Sequence, residues 1–144
     1  MKPTLGKYIS RKLGGVEGEL PRLRYMLIKS FTAQNFRLFW NAWNPIYSYI
    51  LLYYVYKPSR KILPKYIALL LTFAVNGLFH DVMVFIILKS TNFIITKLFV
   101  TYGLIVILET VMNFTLFNQK SIKRVLYNVF LLFTPIVVLL MLRG

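Results

Sequence analysis

The sequence predicts an all-α fold, an integral membrane helical bundle with three clear transmembrane helices and one re-entrant or interfacial helix. Its composition is 58% hydrophobic and 15% charged, whereas soluble domains average roughly 45–50% apolar and 25% charged residues. The apolar residues are concentrated in three runs, at 66–88, 93–117 and 125–142, and each run is long enough to cross a bilayer. The surplus apolar surface therefore has to face lipid.

The fourth predicted helix lies in residues 36–56, where aromatic side chains recur at steps of three and four residues and so share one helix face. These aromatic residues are Phe36, Phe39, Trp40, Trp43 and Tyr47. Residues 42–56 make roughly 22 Å of helix, which is short of the roughly 30 Å hydrocarbon core. A re-entrant or interfacial segment is therefore expected at 42–56, with a kink at Pro45.

Residues 1–35 are expected to form a basic arm that precedes the membrane domain of residues 36–144. A helix that starts after Pro21 would lie along the membrane surface, and a solvated arm that only sets the topology is an equally good interpretation. If the re-entrant segment 42–56 does not cross the bilayer, the arm lies on the same side of the membrane as the connections 57–65 and 118–124. These connections carry seven basic residues, so the positive-inside rule places them in the cytoplasm. The opposite side has three basic residues, Lys89, Lys97 and Arg143.

Charge and cysteine content exclude several classes of function. A net charge of +14 on a soluble protein would suggest nucleic acid as a partner. Here the charges lie between apolar runs, so membrane lipids with anionic headgroups are expected and nucleic acid is not. The chain has no cysteine and one histidine, which argues against disulfides, thiol catalysis and a metal centre.

The one histidine, His80, lies inside the run 66–88. Thr72, Asn76 and His80 follow at four-residue steps and form one polar stripe on an apolar helix, with Asp81 next to it. An ionisable side chain in a membrane span is costly, so a functional role is the default hypothesis. The alternative is a structural histidine that is hydrogen-bonded to a neighbouring helix. A functional His80 would act as a general base near neutral pH.

Glu109 is the one carboxylate in the run 93–117. The candidate partners of Glu109 are Lys97, His80 and a partner chain. The favoured interpretation is a structural ion pair between helices.

Three motifs carry a resemblance to a known family. They are FWNAWNP at residues 39–45, YYVYKP at 53–58 and NGLFHD at 76–81, and together they span about a third of the chain. In their order and spacing they resemble the membrane-bound O-acyltransferase family. Asn44 and His80 are 36 residues apart, which is similar to the spacing in that family.

The resemblance implies transfer of an acyl group from a thioester donor, such as acyl-CoA or an acyl carrier, to a hydroxyl group of a lipid or glycan. No other cofactor is implied. It makes His80 the catalytic base and Asn44 its polar partner across the active-site tunnel. The expected supporting or substrate-binding residues are Trp43, Asn41, Asn76, Asp81 and Tyr47. Members of the family are typically several times longer and have eight or more spans, so a partner membrane subunit or a homo-oligomer is expected.

Three functional hypotheses follow from these observations. The favoured one is a membrane O-acyltransferase, or the catalytic part of one. The second is a non-catalytic membrane subunit or scaffold built on the same helical core. The third is a proton or ion path in an oligomer, with His80, Asp81 and Glu109 as relays.

Overall fold

The computed structural model describes residues 2–89 and 92–142, which are helical apart from short connections and contain no strand. Arg143, which was counted in the charge comparison, lies outside the described residues. The helices are α1 (Leu5–Lys12), α2 (Glu19–Phe31), α3 (Phe36–Ala42), α4 (Pro45–Ile50), α5 (Lys65–Leu88), α6 (Ile94–Val111) and α7 (Ser121–Met141). A π-helical segment, Leu51–Tyr56, and a short turn, Lys57–Ser59, continue α4 without a break.

Helices α5, α6 and α7 are long and apolar enough to cross a membrane, which confirms the predicted fold class. The second crossing is shorter than the apolar run that predicted it, because α6 ends at Val111. Asn113 adopts a left-handed backbone conformation with a φ of 51°. The chain then turns back toward the arm, where Leu116 N donates a hydrogen bond to Gln34 O at 2.8 Å.

The aromatic segment 36–56 contains two helices instead of one kinked helix. Helix α3 ends at Ala42, Trp43 is extended, and Asn44 is left-handed with a φ of 39° before α4 begins at Pro45. Proline lacks an N–H and disfavours the helical conformation in the residue before it, so it suits the first position of a new helix. The break places Trp43 and Asn44 in a tight corner between two helices.

The N-terminal arm packs against α4. Tyr8 in α1 is buried, and its hydroxyl lies 3.0 Å from Ser48 Oγ. Tyr49 in α4 donates a hydrogen bond from its hydroxyl to Pro3 O at 2.9 Å. The first part of the arm is therefore docked on the aromatic segment, whereas α2 keeps an exposed apolar stripe of Leu20, Leu23, Leu27 and Ile28.

The core lies where α3, α5 and α6 meet. Its buried side chains are Phe36, Phe39, Phe73, Phe99, Tyr102 and Val106. Gly77 allows α5 and α6 to approach closely, because a Cβ atom at this position would lie 2.6 Å from Thr96 Cα. Helix α7 joins this core through Tyr102, whose hydroxyl donates to Leu132 O at 2.6 Å.

Candidate active site

His80 lies on α5 between two aromatic rings and is half-buried. Its ring stacks on Phe99, with 5.1 Å between the centroids, and lies 5.8 Å from the ring of Tyr47. Its Nδ1 atom is 2.8 Å from the backbone oxygen of Asn76. A carbonyl oxygen can only accept a hydrogen bond, so this partner assigns the proton to Nδ1. The lone pair is then on Nε2, which is the basic nitrogen of the ring.

A cleft of about 370 Å³ lies between α3, α4 with its π-helical continuation, and α5. Five of the residues expected at the site line it, namely Asn41, Trp43, Asn44, Tyr47 and Asn76. His80 and Asp81 are not among its lining residues. Tyr47 lines the cleft and its ring also packs on His80, so it connects the cleft wall to the imidazole.

Asn44 begins α4 as its N-cap. Its Oδ1 atom accepts a hydrogen bond from Tyr47 N at 3.4 Å, and the left-handed backbone that it needs is one that asparagine adopts more readily than most residues. Because the amide oxygen faces the helix, the amide nitrogen Nδ2 is the group that can donate to a ligand. The side chain thus combines a structural role with a donor at the cleft.

Asp81 supports the helices around the site. It is 1% exposed, and its Oδ2 accepts from Thr96 N at 2.7 Å and from Thr96 Oγ1 at 2.6 Å. Its Oδ1 atom lies 3.4 Å from Ile95 N. A carboxylate at the first turn of a helix satisfies N–H groups that have no partner in the helix and interacts favourably with the helix dipole. Asp81 therefore caps α6 and ties it to α5.

Glu109 positions the aromatic helix α3, a role that the sequence analysis missed. Its two carboxylate oxygens accept from Phe36 N and Arg37 N, both at 2.8 Å, and Tyr127 donates to it at 2.7 Å. The expected ion pair with Lys97 or His80 is not found among the described residues. A lone carboxylate in an apolar run signals that a partner exists, but the sequence does not indicate that backbone N–H groups 73 and 72 residues away supply it.

Basic residues of the arm and of α3 lie at the rim of the cleft. Lys12 donates to the backbone and side-chain oxygens of Asn41, and Arg37 lines the cleft itself. Burial lowers the pKa of Lys12, and the positive charges of Lys29 and Arg11 lower it further. An anionic group near this rim would relieve the repulsion among these charges. No sequence motif links Lys12 to Asn41, because the two are 29 residues apart.

In the described ranges, no group of three or more histidine and carboxylate side chains could hold a metal ion.

Comparison with known protein families identifies the chain. The family model described as MBOAT, membrane-bound O-acyltransferase family, matches residues 14–143. The chain belongs to the membrane-bound O-acyltransferase family, and with its three apolar helices it is an integral membrane protein. Comparisons with curated proteins and with solved structures give no significant match.

Proposed function

We propose that this protein transfers an acyl group from a thioester donor to a hydroxyl acceptor and that His80 is the general base. One observation carries the proposal. The Nδ1 atom of His80 is engaged by a backbone carbonyl, which leaves Nε2 as the basic nitrogen, and the ring packs on Tyr47, which lines a cleft together with Asn44. Family membership supports acyl transfer in general.

In the proposed reaction, Nε2 of His80 removes the proton of the acceptor hydroxyl as its oxygen attacks the thioester carbonyl carbon. The carbonyl oxygen then carries the negative charge of the tetrahedral intermediate, and Nδ2 of Asn44 donates a hydrogen bond to it. When the intermediate collapses, the C–S bond breaks and the leaving thiolate takes the proton from the imidazolium. The products are an ester and a free thiol, so no other reactant is needed.

In this proposal the ring of Tyr47 moves aside to let the substrate hydroxyl reach the imidazole. The side chain is 41% exposed, so much of its surface has no protein contact to lose. Its backbone is fixed by the bond between Tyr47 N and Asn44 Oδ1, so the side chain can move without displacing Asn44. Trp43 and Asn41 form the neighbouring wall of the cleft.

The basic rim suits the carrier of the donor. The phosphate groups of acyl-CoA or of an acyl carrier would meet Arg37, which lines the cleft, and Lys12, whose pKa is lowered by burial and by the charges of Lys29 and Arg11. The acyl chain itself would lie among the apolar residues of the cleft, such as Leu51, Leu52 and Leu69.

The test is a pair of single substitutions in the full chain, purified and assayed with radiolabelled palmitoyl-CoA and a panel of lipid and sugar alcohols. His80→Ala is expected to lower turnover at least about 100-fold, since general base catalysis contributes roughly 10²–10⁴-fold. Phe79→Ala is the control, because Phe79 is the neighbouring side chain on α5 and is exposed. Equal turnover in His80→Ala and in the unmodified protein would refute the proposal.

A second function, that of a non-catalytic membrane subunit, is favoured by the exposed apolar surface of the spans. In α7 only 11% of the most apolar stretch is buried, so this helix leaves most of its surface to lipid, to another subunit or to a second copy. A stable larger assembly that tolerates replacement of both His80 and Asn44 would support this function over catalysis.

A further inference from the structure

Two polar atoms in residues that line the cleft have no hydrogen-bond partner in the described part of the chain. They are the indole Nε1 of Trp40 and the amide Oδ1 of Asn76. Asn76 is 8% exposed. Thr72 lines the same cleft, but its hydroxyl already donates to Ala68 O at 2.7 Å. Buried polar groups in folded proteins are nearly always paired, so an unpaired donor and an unpaired acceptor in residues that line the same cleft need an explanation.

The chemistry of the two atoms defines a complementary ligand group. Trp40 Nε1 can only donate a hydrogen bond, and Asn76 Oδ1 can only accept one. An alcohol hydroxyl satisfies both, because it accepts and donates at the same oxygen. Both atoms are sealed from water in this structure, so a bound hydroxyl would meet them after both the Trp40 indole and the Asn76 amide shift toward the cleft that the two residues line.

The two residues pack near the proposed base. Trp40 and His80 pack on the same Phe99 ring, with centroid distances of 5.5 and 5.1 Å. Asn76 is one helical turn before His80 on α5 and holds its Nδ1 atom. A hydroxyl bound by Trp40 and Asn76 is thus distinct from the hydroxyl that reacts at Nε2.

We propose that Trp40 and Asn76 form a subsite for a second hydroxyl of the acceptor, so that the acceptors of this protein are diols or polyols and not simple alcohols. This inference rests on the proposed function, since it assumes that an alcohol is the substrate that occupies the cleft.

The test compares two probes that differ by one hydroxyl, dodecane-1,2-diol and 1-dodecanol. Their affinities for the full chain in micelles are measured by the shift of the thermal unfolding midpoint, without any donor. The unmodified protein is expected to bind the diol about tenfold more tightly, because the second hydroxyl is recognised by hydrogen bonds. Trp40→Phe and Asn76→Leu are each expected to lose this preference.

Thr72→Val is the matched control, because it removes a hydroxyl from the same cleft that already has a partner. It is expected to keep the tenfold preference. The two subsite variants should fold normally, with midpoints at or above that of the unmodified protein, because an apolar group replaces an unpaired polar one. If Asn76→Leu does not fold, Trp40→Phe alone decides the question.

Equal affinity of the unmodified protein for the diol and the alcohol would overturn the subsite, and so would a diol preference that survives in Trp40→Phe. Loss of palmitoyl-CoA binding in the variants, with the diol preference intact, would also overturn it. The same experiments can refute the proposed function while leaving the subsite standing. If the protein prefers the diol but has no His80-dependent turnover, the subsite is supported and the proposed reaction is refuted.

Discussion

Asn44 illustrates how one side chain at this site can serve both the fold and the reaction. Its Oδ1 atom caps α4 through Tyr47 N, and its Nδ2 atom is the proposed oxyanion donor. His80 has a similar division, because Nδ1 is held by the backbone of Asn76 and Nε2 is the proposed base. At the scale of single residues, the structural atom orients the side chain and the other atom is available for chemistry.

Asn44→Asp separates the two roles of this residue. Aspartate retains a side-chain oxygen that can cap α4 and also tolerates the left-handed backbone, but its side chain has no N–H group that could donate a hydrogen bond. The thermal midpoint is therefore expected to change little, while kcat falls roughly 10²–10³-fold, as when an oxyanion donor is removed. Calorimetry and steady-state turnover measure the two effects. Full activity of Asn44→Asp would exclude the amide as an oxyanion donor.

Among the elements, α3 depends most on contacts from distant parts of the chain. This helix of seven residues is held at its N-terminus by Glu109 from α6 and, through the same carboxylate, by Tyr127 from α7. The end of α3 leads directly into Trp43 and Asn44. The carboxylate of Glu109 therefore links two membrane spans to the position of the proposed donor.

Glu109→Ala is expected to destabilise the protein by about 2–4 kcal/mol, because it leaves two backbone N–H groups of α3 and the hydroxyl of Tyr127 without their partner. Tyr127→Phe removes one hydrogen bond and is expected to cost about 1 kcal/mol. Denaturant titration of both variants in micelles measures the difference. If both variants had the same stability, the capping of α3 would not be the main role of Glu109.

The crossing of α5 and α6 depends on Gly77. A Cβ atom at this position would lie 2.6 Å from Thr96 Cα, and a backbone atom cannot move aside without moving the helix. Gly77→Ala is therefore expected to force α5 and α6 apart, which lowers the unfolding midpoint and displaces His80. Gly6→Ala in α1 is the control, since nothing lies within 4 Å of its added Cβ. A Gly77→Ala protein as stable as this control would show that the close approach is not needed.

At the scale of the whole molecule, the apolar residues are mostly on the outside. Helices α5, α6 and α7 expose large hydrophobic side chains, such as Phe85, Leu108 and Phe130, as expected for helices in lipid. The buried residues instead include asparagines and carboxylates that join the spans to the arm and to α3. Asn128 on α7, for example, donates to Phe31 O and Ala33 O at 3.1 and 2.9 Å.

The sidedness of the membrane domain can be tested directly, because the chain has no cysteine. The distribution of basic residues predicts that the connections 57–65 and 118–124 face the cytoplasm. Lys61→Cys and Gln119→Cys should therefore react with a membrane-impermeant maleimide only from the cytoplasmic side, and Asn92→Cys only from the opposite side. Labelling of all three from one side would contradict the three-span topology.

The sequence by itself determined the fold class, because three long apolar runs separated by basic residues are stable only as helices in lipid. Its motifs also indicated the family that the match over residues 14–143 identifies. The candidate residues could be named from the sequence, but their arrangement could not, since the cleft brings Asn44 and Asn76 together across 32 positions of chain.

Only the tertiary structure decided what the polar groups contact. In the structure, the carboxylates of Asp81 and Glu109 accept hydrogen bonds from backbone N–H groups at the N-termini of α6 and α3, respectively. Helix α1 packs on α4. The physical reason is that a buried polar group takes whichever partner lies within about 3 Å in space, and residues far apart in the chain supply these partners. Periodicity along one helix contains no information about such contacts.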